Sequence, residues 1–236
     1  MQVKTEAVVL SALRYQEKSL VVRCFTQDFG LKTYFIRNAF SAKNKSLNSA
    51  YFQPLNLLFI DAVHKNKGSL EYINELKLMY PYRTISLQFY KNSVSIFLAE
   101  ILSHAVKEEQ PNNEFFLFLK TTLIWFDEHE FYADFHLWFL LKITKYLGFY
   151  PDDSDKDSLY FNPNEGSFTM QYTPNCFNED ETDLFRKVFK LSLTEKRIHL
   201  TNTERKTLLK LLLLYFETHI VGFKPVKSIE ILSELF

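Results

Sequence analysis

The spacing of apolar residues changes once along this chain, and that change limits what it can fold into. In the first third, apolar residues come in short runs rich in Val, Phe and Tyr, at 7–13, 20–26, 31–37, 55–63 and 69–80, each bounded by polar punctuation. Runs of this length and composition read as strands. Pro81 marks a boundary. From Thr84 onward the apolar positions, such as Ile96, Leu98, Ala99, Leu102 and Val106, recur at about 3.6 residues, the spacing of one helix face.

The first three strands follow one another too closely for a crossover helix, so they must meander. Asp28-Phe29-Gly30 supplies a turn former and a glycine able to take positive φ, which lets the second and third pair as a hairpin. Lys65-Asn66-Lys67-Gly68 reads as the hairpin between the last two. A long polar, basic stretch separates the third strand from the fourth. Five short strands with this connection fit a small barrel of the OB type, with a five-stranded sandwich as the structural rival. The spacing then predicts helices at 84–108, 113–128, 133–147, 179–191 and 203–220. Asn178 with Glu181, and Thr201 with Glu204, have the spacing of reciprocal capping boxes at the last two starts. Alternating residues at 158–161 and 166–170 predict a small β-hairpin insertion near 155–175. The fold class expected is α+β: an OB domain at 1–80, then a mainly helical domain at 81–236.

Composition and charge narrow the function. The 24 Phe against 5 Gly suit aromatic helix interfaces more than loop-built active sites. Basic and acidic residues balance at 28 each, yet residues 1–80 hold 11 basic and 6 acidic residues, a net of +5. An anionic ligand is therefore expected at the N-terminal domain. The glycines are isolated, so no phosphate-cradling loop is present, and the six histidines lack the spacing of a metal site. No serine lies in a nucleophile elbow. Asp127-Glu128 and Asp152-Asp153 read as solvated carboxylates and not as an acid–base pair. Cys24 and Cys176 form neither a metal motif nor a disulfide framework. With no readable signal peptide and no membrane-length apolar run, a cytoplasmic protein without catalytic activity, cofactor or metal is expected.

The candidate site is a set of cations interleaved with aromatics in the N-terminal domain: Arg14, Lys18, Lys32, Tyr34, Arg37, Lys43, Lys45, Lys65 and Lys67. Cations neutralise phosphates and exposed rings stack unpaired bases, the combination that binds single strands. Neighbours on a strand point to opposite faces, so one of Tyr34 and Phe35 belongs to the core. In the helical domain Arg186, Lys187, Lys190, Arg197, Arg205, Lys206 and Lys210 are candidates for holding an acidic peptide, with a solvated helix face as the competing reading.

The N-terminal string EAVVLSALRYQEKSLVVRCFTQDFGLKTYFIRNA resembles the opening of the RecO family of bacterial recombination mediators, with Glu17, Ser19, Phe25-Thr26, Gly30 and Arg37 in place. Gln53-Pro54-Leu55 and the order of barrel then helices agree with it. The resemblance implies binding of single- and double-stranded DNA, strand annealing, engagement of RecR, recognition of the acidic C-terminal tail of single-stranded DNA-binding protein, and help in loading RecA. Many members carry a four-cysteine zinc module near residues 150–180. Only Cys176 stands there in this chain, so a zinc-less form is expected. The alternatives from the residues alone are a protein-interaction scaffold built on an OB barrel, and an RNA-binding OB protein.

Overall fold

The computed structural model describes residues 1–41, 46–65, 70–107, 109–194 and 198–233. The chain forms two compact units, Met1–Phe131 and Tyr132–Phe236.

The first unit is built on five antiparallel strands, β1 (Gln2–Tyr15), β2 (Ser19–Thr26), β3 (Gly30–Ile36), β4 (Leu57–Val63) and β5 (Tyr72–Leu78), in the order β3-β2-β1-β4-β5. The long β1 pairs with β4 through its first half and with β2 through its second. A register shift between Val9 and Ser11 lies where it changes partner, and a bulge of this kind bends a strand and increases its twist. The sheet therefore curls until β3 approaches β5, where Phe35 N donates to Glu71 O and Glu71 N to Thr33 O. This parallel bridge, Tyr34 to Glu71, stands alone. "Barrel" thus describes the sheet only loosely, because among the described residues no continuous ladder joins β3 to β5. A partly open five-stranded Greek-key sheet is the OB arrangement.

Alternation along the strands sends Ala7, Val9, Val22, Cys24, Tyr34, Ile36, Leu58, Ile60 and Ala62 into the interior, closed by Phe52. Burial there pushes the Cys24 thiol pKa up to about 12, so this cysteine behaves as a small apolar core group. The β2–β3 turn forms at Asp28-Phe29-Gly30 as the sequence predicts. Thr26 Oγ1 donates to Gly30 O at 2.8 Å and accepts from Phe29 N, while Thr5 Oγ1 donates to Asp28 at 2.7 Å. Gly30 has φ +63°, and a Cβ there would lie 2.5 Å from Gln110 O. Both observations demand glycine.

Two helices complete this unit, α1 (Phe89–Ala105) and α2 (Asn113–Glu128). Phe25 packs against Phe115 and Phe116, with ring centroids 5.3 and 6.3 Å away, and Arg23 donates to Ser103 O at 2.8 Å. The expectation that Asp127 is solvated is overturned: it is buried and accepts from the backbone amides of Arg83, Thr84 and Ile85 at 2.8–2.9 Å. Burial alone would raise its carboxyl pKa, but the bonds from Arg83, Ile85 and Thr84 outweigh that and hold it below the ordinary carboxylate value. Beside it, Lys91 is buried and donates to Thr84 Oγ1, Asp127 O and His129 O. The pair ties the turn before α1 to the C-terminal end of α2. Its role is structural.

The second unit contains α3 (Phe135–Tyr146), the hairpin β6 (Tyr160–Asn162) and β7 (Ser167–Thr169), α4 (Glu179–Val188), α5 (Asn202–His219) and a single-turn α6 (Ile229–Ser233). The hairpin stands where alternation places it, and both capping boxes form, Asn178 with Glu181 and Thr201 with Glu204. The aromatic content is spent here: Phe161 from the hairpin meets Phe168, Phe177, Phe185 and Tyr215 at 4.4–5.7 Å between centroids. Arg205 and Asp134, both buried, form an ion pair at 2.7 Å. Asn202 and Leu200 O take the remaining guanidinium donors shown. No helix among the described residues is long and apolar enough to cross a membrane.

Candidate nucleic-acid interface and peptide pocket

Residue parity on β3 sorts the two aromatics that sequence alone could not. Tyr34 points inward. It is fully buried, and its hydroxyl lies 2.9 Å from His64 Nε2, with the Phe29 ring edge-on to His64 at 4.8 Å between centroids. It is therefore a core residue and not a base-stacking platform, a correction to its place among the candidates. Burial, with lesser contributions from Cys24 and Glu71, raises the Tyr34 pKa. Burial likewise lowers that of His64, outweighing Glu71, which opposes the shift, while Lys32 and the N-terminal amine add to it. The cluster holds a neutral imidazole.

Phe35 points the other way and joins a row of rings drawn from three strands. Tyr15, the last residue of β1, is 49% exposed and lies edge-on to Phe35 at 5.8 Å. Tyr72, the first residue of β5, lies edge-on to Phe35 from the other side at 6.3 Å. Cations flank the row. Lys65 Nζ stands 4.8 Å over the Tyr72 ring, and the Arg14 guanidinium stands 5.0 Å over the exposed Phe40 ring. Lys18 in the β1–β2 turn and Arg37 just after β3 are exposed. Lys32 behaves differently: it shares the inward parity of Tyr34 and lies half-buried, 4.0 Å from Glu109. Lys43, Lys45 and Lys67 lie outside the described residues.

The row Tyr15–Phe35–Tyr72 was not legible as a unit in the sequence, because its members are separated by 20 and 37 positions. Only the curl that brings β3 beside β5 assembles it. Half-exposed rings with cations beside them can stack unpaired bases and hold the phosphates between them. The row also spans the β3 face and the β1–β2 and β4–β5 connections, the part of an OB domain that serves oligonucleotides.

The basic candidates of the second unit separate in the same manner. Arg186 is engaged locally with Asp183 and the carbonyls of Lys156 and Ser158, and Lys187 pairs with Glu204. Arg205 is held by Asp134, as above, so its charge is internally balanced. Lys190 is exposed, and Arg197 lies outside the described residues. Lys206 and Lys210, one turn apart on α5, border a cavity of about 220 Å³ lined also by His136, Arg205, Leu209, Ile229 and Leu232. The His136 ring is fully buried, and burial, reinforced by the Arg205 charge, lowers its pKa to about 3. The cavity thus is lined by Leu209, Ile229 and Leu232 around a neutral imidazole, with the Asp134-paired Arg205 guanidinium in its wall and two exposed ammonium groups at its edge.

An OB-type sheet with an aromatic and cationic face, followed by helices with a basic-edged cavity, defines the class: an OB-type domain joined to a mainly helical region. Comparison with known proteins makes the assignment specific. Residues 1–82 match the family profile described as Recombination protein O N terminal, and residues 87–228 match Recombination protein O C terminal. The chain is 48% identical over 237 residues to the DNA repair protein RecO of Flavobacterium psychrophilum and 47% identical over 236 residues to that of Flavobacterium johnsoniae, covering all of both chains in each case. It is 30% identical to the DNA repair protein RecO of Bacteroides fragilis over 239 residues, 99% of this chain and 98% of that one. The chain belongs to the RecO family of DNA repair and recombination proteins.

Proposed function

We propose that this protein is a non-catalytic recombination mediator whose N-terminal domain, residues 1–80, binds single- and double-stranded DNA and promotes annealing of complementary strands. The observation that carries this reading is the row Tyr15–Phe35–Tyr72 with Lys65 and Arg14 beside it. The rings hold bases of a single strand apart from their complements, while Arg14, Lys18, Arg37 and Lys65, with Lys43, Lys45 and Lys67 from the connections, neutralise phosphates. Lowering the charge on a strand in this way reduces repulsion from an incoming complement, which is what annealing requires.

The helical unit supplies the partner site. The Lys206–Lys210 cavity suits the acidic C-terminal tail of single-stranded DNA-binding protein, with carboxylates at the ammonium groups and an apolar terminal side chain on Leu209. Family membership supports engagement of RecR and assistance in RecA loading, in a cytoplasmic setting. The test is fluorescence anisotropy of a labelled single-stranded oligonucleotide across a salt series. Affinity should fall with salt with a log–log slope of about 0.7 per neutralised phosphate. Charge removal at Arg14, Arg37 and Lys65 should flatten that slope. A preference for ribose over deoxyribose strands would favour an RNA-binding role, and no binding at low salt would leave a protein-interaction scaffold.

A further inference from the structure

The outward face of β1, β2 and β3 is covered by helices along one part and open along another. Register places Ser11, Arg23 and Thr33 side by side on it, and the next row holds Leu13, Val21 and Phe35. Arg23 is tied to α1 through Ser103 O, and Phe25, one row further in, packs on Phe115 and Phe116 of α2. Past Arg23 that cover ends: Leu13 is 65% exposed and Tyr15 49%. The β1–β4 ladder stops at Val8 while β1–β2 runs on to Tyr15 and Ser19, so the open row lies at a corner of the sheet. Cations edge this corner. The Arg14 guanidinium is held by Glu17 O at 2.8 Å and by the exposed Phe40 ring, and Lys18 in the following turn is exposed.

A single exposed leucine needs no explanation. Leu13 differs in being continuous with the ring row and bordered by two cations. It has no π face, so it adds little to the stacking of an unpaired base. What an aliphatic side chain does beside cations is fill the gap of an opened base-pair step, and leucine is among the wedges that duplex-bending proteins insert there. Two strand spacings, about 10 Å, separate Leu13 from Phe35, a distance of about three stacked nucleotides at about 3.4 Å each. The two side chains therefore engage different nucleotides. We infer that this corner is a double-strand subsite distinct from the ring row: Leu13 enters a base-pair step of duplex DNA and bends the helix, with Arg14 and Lys18 on the flanking phosphates. This rests on the N-terminal domain binding DNA. It adds a division of one face between paired and unpaired strands.

The test uses the full-length protein with a duplex carrying donor and acceptor dyes at its two ends, and with a labelled single-stranded oligonucleotide. Binding of the unaltered chain should raise energy transfer across the duplex. Leu13→Ser should abolish that rise and weaken duplex binding about tenfold, the burial of one leucine less the opening of one step, with single-strand affinity unchanged. Leu13→Met, which keeps an apolar wedge, should retain the bend. Phe35→Leu should do the reverse of Leu13→Ser, weakening single-strand binding and leaving the bend. A duplex bound without bending, a bend that survives Leu13→Ser, a straight duplex with Leu13→Met, or equal loss of both ligands in Leu13→Ser overturns the inference and leaves the DNA-binding reading standing. Absence of binding to either nucleic acid by the unaltered chain overturns both.

Discussion

Adjacent residues on β3 should have opposite phenotypes. Phe35 is the middle ring of the Tyr15–Phe35–Tyr72 row, 5.8 and 6.3 Å from its neighbours, whereas Tyr34 is buried and bonded to His64. Replacing Phe35 by Leu keeps an apolar side chain against the sheet and removes the π face. A stacked base is worth about 1–3 kcal/mol, so the Kd for a single-stranded oligonucleotide should rise about five- to 150-fold. The thermal midpoint should stay within a few degrees. Tyr34→Phe removes a hydroxyl that no strand can reach. It leaves His64 Nε2 without its bond at a cost of about 1–3 kcal/mol, so the midpoint should fall while oligonucleotide affinity at low temperature is unchanged. Anisotropy and thermal melts on both variants read the two effects separately. A Phe35→Leu protein that binds like the unaltered chain, with a Tyr34→Phe protein that does not, would refute the assignment of the two faces.

Other substitutions probe the framework. Asp127→Ala deprives three amides, that of Ile85 buried and those of Arg83 and Thr84 partly so, of their acceptor and should cost about 3 kcal/mol in urea unfolding, with charged hydrogen bonds the largest part. Because the folded Asp127 pKa lies below the unfolded value, its contribution is complete above the unfolded pKa and is lost as pH falls through the folded one. The Asp127→Asn variant should therefore show a flatter acid limb. His64 has a depressed pKa too, so its contribution is lost as pH falls below about 6.5, the unfolded imidazole value, and His64→Gln should flatten stability between pH 7 and 5. Gly30→Ala must adopt a left-handed φ, costing about 1–2 kcal/mol before the approach to Gln110 O is counted, and should lower the melting point of the first unit. Arg205→Ala breaks a buried pair and should cost about 3–5 kcal/mol, whereas Lys206→Glu and Lys210→Glu should leave the melt unchanged and abolish acidic-peptide binding.

The elements were legible because local patterns specify them. The five strands, the first five helices and both capping boxes stand close to where periodicity and cap chemistry place them, and the hairpin at β6–β7 follows from alternation alone. The predicted α1 start at 84 comes five residues early, because 84–88 form the turn that Asp127 holds. α6 escaped notice: five residues carry no readable period, and only Ile229 and Leu232 on the cavity distinguish them from a tail. The candidate site was legible as a region of the sequence, while the arrangement of its residues was not. Composition pointed to the basic first third, but parity could say only that one of Tyr34 and Phe35 is inward. Which one depends on the pairing of β3 with β2 and on the bridge to Glu71. Tyr72 entered no candidate set, since its partners lie on strands far away in sequence. Lys32 and Arg205 show the converse: a cation in a promising place is taken up by Glu109 or Asp134, neighbours that only folding supplies.

The isolated bridge between Tyr34 and Glu71 gives the proposed nucleic-acid face a mechanical character of its own. Phe35 and Tyr72 stand on opposite sides of this seam, each one residue beyond the bridged pair, and the backbone hydrogen bonds shown across it are Phe35 N to Glu71 O and Glu71 N to Thr33 O. A change of angle at this seam would alter the gap between the two rings while leaving the ladders of β1 with β2 and β4 in place. If the N-terminal domain binds single strands as proposed, a platform of adjustable spacing would accept bases of different size in succession.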